Sequence, residues 1–174
     1  MPVPALKIDI QIELKGWRKI PRLKARLDAA ARTTMALLPQ YRSMPLAVTL
    51  LLTGNAAIQR LNRDFRGLDK PTNILSFPQY EPAQLPKKSK APEPVFIGDL
   101  AMAYQYMVGE AKKDNKILID HIVHLFIHGI LHLFGYHHAS ASAAARMEGL
   151  EKKVMAELGL PNPYAPRTPV TRKQ

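Results

Sequence analysis

His121-Ile122-Val123-His124-Leu125-Phe126-Ile127-His128-Gly129-Ile130-Leu131-His132-Leu133-Phe134-Gly135-Tyr136-His137-His138 contains all six histidines of the 174-residue chain. His128 and His132 are four residues apart, so on a helix they lie on one face, one turn above the other. Gly135 can take the left-handed conformation that closes a helix. The returning chain can then bring His138 to the same face. The pattern His-x3-His-x5-His thus offers three neutral imidazoles to one ion. Zinc held by three protein ligands keeps an open position, which is the arrangement of a hydrolytic site and not of a structural one. Expression tags also contain histidine runs, but tags sit at termini and lack helical spacing. A packed core histidine is the ordinary reading of one such residue; it does not account for three at this spacing. His121 and His124 continue the stripe. At 1.5 Å of rise per residue, however, His124 lies about 12 Å from His132 along the axis. They are expected behind the ligands or at the surface, and not on the same ion.

Working outward, Leu118–Phe134 reads as one helix, followed by a second at Ser142–Leu158 that stops at Gly159. Upstream, Ile8, Ile10, Ile12 and Leu14 alternate with polar residues, as in a half-exposed strand. The apolar spacing from Arg18 to Leu38 predicts a helix, with Arg22 and Arg26 in a basic stripe beside its apolar face. Leu46–Leu52 is a nearly continuous apolar run, suited to a strand buried on both sides. Thr53-Gly54-Asn55 offers capping residues for a short helix through Asn62. Asn73–Phe77 predicts a strand ending at Pro78. A proline-rich loop follows, then a strand at Val95–Leu100 broken by Gly98 and a helix from about Ala101 to Lys113. Strands mixed with helices, then helices alone, predict an α+β fold: one small mixed β-sheet covered by helices, with the metal-binding helix across it. Residues 1–164 form one domain, and 165–174 read as a basic, disordered tail.

Composition narrows the function classes. The chain has no cysteine, which removes disulfides, thiolate nucleophiles and cysteine zinc sites. No run approaches a membrane span. The N-terminus, Met1-Pro2-Val3-Pro4, lacks a signal pattern, so the expected location is cytoplasmic. Lys and Arg number 25 against 14 Asp and Glu, a net charge of +11. Seven of the basic residues fall between Lys15 and Arg32, beside one acid, Asp28. Lys87, Lys88 and Lys90 make a second group, and Arg167, Arg172 and Lys173 a third. Such an excess favours polyanionic partners, nucleic acid first.

The histidine spacing equals that of zinc peptidases with His-Glu-x-x-His-x-x-Gly-x-x-His. Their general base is the Glu after the first histidine, and here that place is Gly129. Peptide cleavage needs a proton for a poor leaving amine, so a site without that group is ill suited to it. Phosphodiester cleavage gathers negative charge on phosphoryl oxygens, which a metal and an arginine neutralise. Arg66, just ahead of Gly67, can fork onto a phosphate.

Two blocks resemble the YbeY family of bacterial metal-dependent endoribonucleases. One is Asn62-x-x-Phe65-Arg66-Gly67-x-Asp69-x-Pro71-Thr72-Asn73-Ile74-Leu75-Ser76-Phe77-Pro78. The other is His128-Gly129-x-Leu131-His132-Leu133-x-Gly135-Tyr136-His137-His138. Gly98-Asp99-Leu100 and Met147-Glu148-x-Leu150-Glu151, with Gly159 and Pro163-Tyr164, are similar to further parts of it. The resemblance implies one zinc on His128, His132 and His138, with Arg66 as the functional arginine. It implies single-strand-specific RNA cleavage in 16S ribosomal RNA 3′-end maturation and ribosome quality control, with ribosomal RNA and the small ribosomal subunit as partners. The basic face from Lys15 to Arg32 would then contact RNA by charge. One departure is His137, where the family usually has Asp. The rival readings are a zinc peptidase or other amide hydrolase, which Gly129 argues against, and a non-catalytic ribosome-assembly factor with structural zinc, which an open three-histidine site argues against.

Overall fold

The computed structural model describes residues 6–41, 43–86 and 93–166. Lys87, Lys88 and Lys90, and the tail residues Arg167, Arg172 and Lys173, lie outside the described residues. The chain forms one four-stranded mixed sheet and five α-helices among those residues. In order they are β1 (Leu6–Ile12), α1 (Leu23–Ala36), β2 (Leu46–Thr53), α2 (Asn55–Arg66), β3 (Ile74–Pro78), β4 (Val95–Ala103), α3 (Tyr104–Lys113), α4 (Leu118–Leu133) and α5 (Ala141–Glu157). The sheet order is β1-β2-β4-β3, with β1, β2 and β4 parallel and β3 antiparallel to β4. This is the α+β architecture that the pattern of elements predicts.

Side chains alternate across a strand, and the sheet uses both faces unequally. Leu46, Val48, Leu50 and Leu52 of β2 join Leu100 and Met102 of β4 in the main core, under α1 and α4. On the reverse face, Leu75, Ala101 and Ala103 form a smaller cluster with Ile58 of α2. Ala47, Thr49 and Leu51 on that side are only half-buried. The apolar run of β2 is therefore sealed on one face and partly covered on the other, because α2 packs over β3 and β4.

Three boundaries depart from the sequence expectation. The helix expected from Arg18 starts at Leu23, and Lys15–Lys19 is instead a 3-10 turn. Proline disfavours helical backbone in the preceding residue, and Ile20, before Pro21, is extended at φ −85°, ψ 114°. Arg22 then turns into α1 at φ 54°. The 3-10 turn buries Trp17, whose Nε1–H donates to the Thr53 carbonyl at 2.8 Å. α2 runs to Arg66 and not only to Asn62, and its start is capped not by a residue of the expected Thr53-Gly54-Asn55 segment but from α3, where Gln105 Oε1 accepts the Asn55 amide at 3.0 Å. Thr53 Oγ1 donates to Glu13 Oε2 at 2.7 Å, and Asn55 Oδ1 accepts from the Tyr106 amide at 3.0 Å. Gly98 does not break β4, which continues to Ala103, so α3 starts at Tyr104. Instead the register shifts by one residue against β2 at this point. Gly98 sits at φ 143°, and a Cβ there would lie 2.3 Å from the Phe77 carbonyl oxygen. Only glycine lets β3 close against the bulge.

α4 is buried almost all round, from His121 to Leu133, as expected of a helix in the middle of a core. No single helix among the described residues is long and apolar enough to cross a membrane.

Candidate metal centre

His128 and His132 stand one turn apart on α4, and a tight cap returns the chain to them. The Gly135 amide donates to the His132 carbonyl at 2.9 Å and the Tyr136 amide to the Leu131 carbonyl at 3.1 Å. These two bonds are the paired closure of a helix ending in a left-handed residue, and Gly135 has φ +86°. A Cβ there would also meet Pro82 at 2.6 Å, so the neighbouring loop adds a second reason for glycine. The turn brings His138 beside the helix pair. His132 Nε2 lies 3.1 Å from His128 Nε2 and 3.0 Å from His138 Nε2. All three ligand atoms fall within 4.8 Å of one another. Tetrahedral zinc with 2.0–2.1 Å bonds would hold its nitrogens about 3.3 Å apart, close to the spacing found.

The electrostatics suit the donor set. Burial, then the neighbouring His128 and His138, brings the His132 pKa down to about 4. A neutral imidazole at ordinary pH is what metal ligation requires. His128 Nδ1 donates to Glu151 Oε1 at 2.6 Å, which leaves its Nε2 lone pair for the cluster. The residues present therefore fit a zinc ion.

Glu151 was not singled out as a site residue from sequence. It comes from α5, is 0% exposed, and also takes His124 Nε2 at 3.2 Å and the Tyr164 hydroxyl. Burial pushes its carboxyl upward, but hydrogen bonds from His124, His128 and Tyr164 outweigh this and hold the pKa at about 2. The available signal was an acid on an apolar stripe: Met147, Glu151, Val154 and Met155 share one buried face of α5. An ionised carboxylate hydrogen-bonded to a ligand imidazole fixes its orientation and raises its basicity.

The upstream histidines are not at the surface: His121 and His124 are both buried. His124 stands behind the cluster, on Glu151. His121 Nε2 lies 2.8 Å from Glu110 Oε2. Asn73 Nδ2 donates to the same carboxylate at 3.2 Å, so this group joins α3, α4 and the start of β3. His137 is exposed and outside the cluster, its Nδ1 accepting the Ala139 amide at 3.2 Å.

Arg66 ends α2, where Gly67 closes the helix at φ 70°. Asn62 Nδ2 donates to the Lys70 carbonyl at 2.8 Å and folds the following loop back. Arg66 Nη2 donates to the Ser76 carbonyl on β3 at 3.4 Å, and Ser76 Oγ donates to the Gly129 carbonyl at 3.3 Å. The guanidinium is near enough to lower the His132 pKa further. Gly129 itself faces the sheet: a Cβ would lie 2.6 Å from Ile74 Cδ1 and 3.0 Å from Leu100 Cδ2. At the position that carries the peptidase glutamate, a side chain would thus start out toward the sheet.

The family model described as Endoribonuclease YbeY matches residues 11–159. An Endoribonuclease YbeY of Allorhizobium ampelinum is 42% identical over 171 residues, covering 95% of this chain and 98% of that one. Another, from Rhizobium etli, is 44% identical over 164 residues, covering 91% and 93%. Among solved structures, the solution structure of TM1509 from Thermotoga maritima aligns with a TM-score of 0.53 at 25% identity. It covers 95% of this chain and 99% of that one.

Proposed function

The chain belongs to the endoribonuclease YbeY family, and from that premise we propose that it is a zinc-dependent, single-strand-specific endoribonuclease. Its substrate is ribosomal RNA, cut in 16S 3′-end maturation and in ribosome quality control at the small subunit, and its location is cytoplasmic. Residues 1–164 are the catalytic domain. The observation that carries this reading is the meeting of His128, His132 and His138 in a chain matched by that family's model.

His128, His132 and His138 would hold the zinc, and Glu151 would fix the tautomer and direction of His128. When bound, zinc supplies Lewis acidity toward a phosphoryl oxygen and an open coordination position. Arg66 binds and orients the phosphate at the mouth of the site, its planar fork matching two phosphoryl oxygens. The exposed cations of the Lys15–Arg32 segment draw the RNA backbone in without reading its sequence. A peptidase reading finds no support at Gly129, which supplies no base and faces the sheet.

The test is to incubate zinc-loaded protein and an Arg66→Ala variant with ribosomal RNA precursors, then map the ends produced. Metal-dependent cuts that the variant loses support the reading. Hydrolysis of casein with intact RNA at low salt would put the peptidase in its place. Binding to the small subunit without any cleavage would favour an assembly factor.

A further inference from the structure

Where the turn after α4 meets α5 lies a notch of about 120 Å³ lined by Phe134, Gly135, Tyr136, His137, Ala143 and Arg146. We propose that this notch is a second phosphate subsite, holding the RNA phosphate that adjoins the one being cut. The inference rests on the endoribonuclease reading and adds to it a place for the neighbouring nucleotide.

Four observations point to an anion. The Arg146 side chain is exposed and forms no ion pair among the described residues. The two carboxylates nearest to it on α5 have other partners: Glu148 faces Lys152 at 4.0 Å and Glu151 is buried on the histidines. From Tyr136 to Arg146 the chain contains no Asp or Glu, so nothing in this segment would repel a phosphate. His137 lines the notch and accepts the Ala139 amide through Nδ1, so its Nε2 is not used by that bond.

Position and size then choose the ligand. At about 120 Å³ the notch has room for a phosphodiester group. His137 adjoins His138 in the chain, so an anion in the notch is a near neighbour of the histidine cluster. Arg66 comes to the cluster from α2 along β3, whereas Arg146 comes from α5, which packs on the histidine face through Glu151. A single strand with one phosphate at the histidines can present the next to Arg146. A guanidinium matches that group bidentately, which fixes the register of the strand over the centre.

The experiment uses zinc-loaded full-length protein and short single-stranded oligoribonucleotides, each with one linkage replaced by a neutral methylphosphonate. KM and kcat are measured for each, with zinc content, melting temperature and the salt dependence of binding. For the wild type, neutralising one linkage next to the cut should raise KM about tenfold, the worth of a hydrogen bond to a charged group. Arg146→Ala should raise KM on the unmodified strand by a similar factor and become indifferent to that linkage. Its salt slope should fall by about 0.7, the single-strand value for one phosphate. Arg146→Lys should regain the slope while recovering only part of KM. His137→Asp, which sets a carboxylate beside Arg146, should raise KM with zinc retained. An Arg146→Ala protein with the wild-type KM, slope and linkage profile overturns the subsite alone. So does a loss that follows zinc content or melting temperature. A wild type that neither binds nor cuts any strand overturns the endoribonuclease reading, and the subsite with it.

Discussion

A buried carboxylate costs several kcal/mol unless hydrogen bonds replace its water, and Glu151, fully buried, has His124, His128 and Tyr164 to do so. The same bonds orient His128, so metal affinity and stability meet in one side chain. Glu151→Gln keeps the shape but replaces one accepting oxygen with an N–H2 that faces donors. Zinc affinity, read by competition with a chelator, should fall about 10–100-fold, the usual cost of losing such a supporting group. Unchanged affinity would mean that His128 needs no partner. His132→Ala is expected to abolish stoichiometric zinc, because His132 Nε2 stands between the other two. His124→Ala should keep it, since that ring offers no nitrogen to the cluster: its Nε2 is on Glu151, and it meets His128 only edge-on. Metal retained in the first variant and lost in the second would name the wrong histidines. His137→Asp should likewise hold its zinc, as His137 lies outside the group.

At the scale of elements, α2 matters through its last residue. Gly67 ends the helix and Asn62 ties down the next loop, so the Arg66 backbone is fixed, and its guanidinium reaches β3 through one long bond to the Ser76 carbonyl at 3.4 Å. Arg66→Lys keeps the charge and loses the bidentate geometry. RNA cleavage should therefore drop at least tenfold, by loss of one charge-assisted hydrogen bond of about 1.5–3 kcal/mol, with zinc content unchanged. Cleavage at the wild-type rate would remove Arg66 from the reaction. α4 could be read from sequence because its apolar residues and histidines keep one helical period over sixteen residues. The cap at Gly135 was equally legible, being local. α1 was misread at its start, since the period continued through Pro21 while the backbone could not. β4 was expected to stop at Leu100 because Ala101-Met102-Ala103 suits a helix as well as a strand, and the strand that holds its end, β3, lies far upstream and pairs Ile74 with Met102. Glu151 escaped for the same reason: its partners are 23 and 27 residues away on another helix. Spacing reveals ligands that share an element, not the groups that support them from elsewhere.

Across the whole molecule, the main core gathers β1, β2, β4, α1, α4 and α5, and the histidine centre is built into its edge. Protonation of that centre should therefore be felt by the entire fold. Burial and the neighbouring histidines lower His132 from 6.5 to about 4. Hydrogen bonds, working against burial, lower Glu151 from 4.5 to about 2. Both groups bind protons less readily folded than unfolded, so each contributes stability that grows with pH. The His132 contribution is complete above its unfolded value of 6.5 and is lost as pH falls through that value toward about 4. The Glu151 contribution is complete above 4.5 and is lost toward about 2. Urea midpoints of chelator-treated protein should thus decline in two stages, and Glu151→Gln should remove the lower one. A midpoint that stays flat from pH 6.5 to 4 would refute the proton linkage at His132. Zinc should raise the midpoint at neutral pH by mass action on the folded state. That increment should vanish across the upper stage and not the lower, because protons and the metal compete for the same imidazole lone pairs.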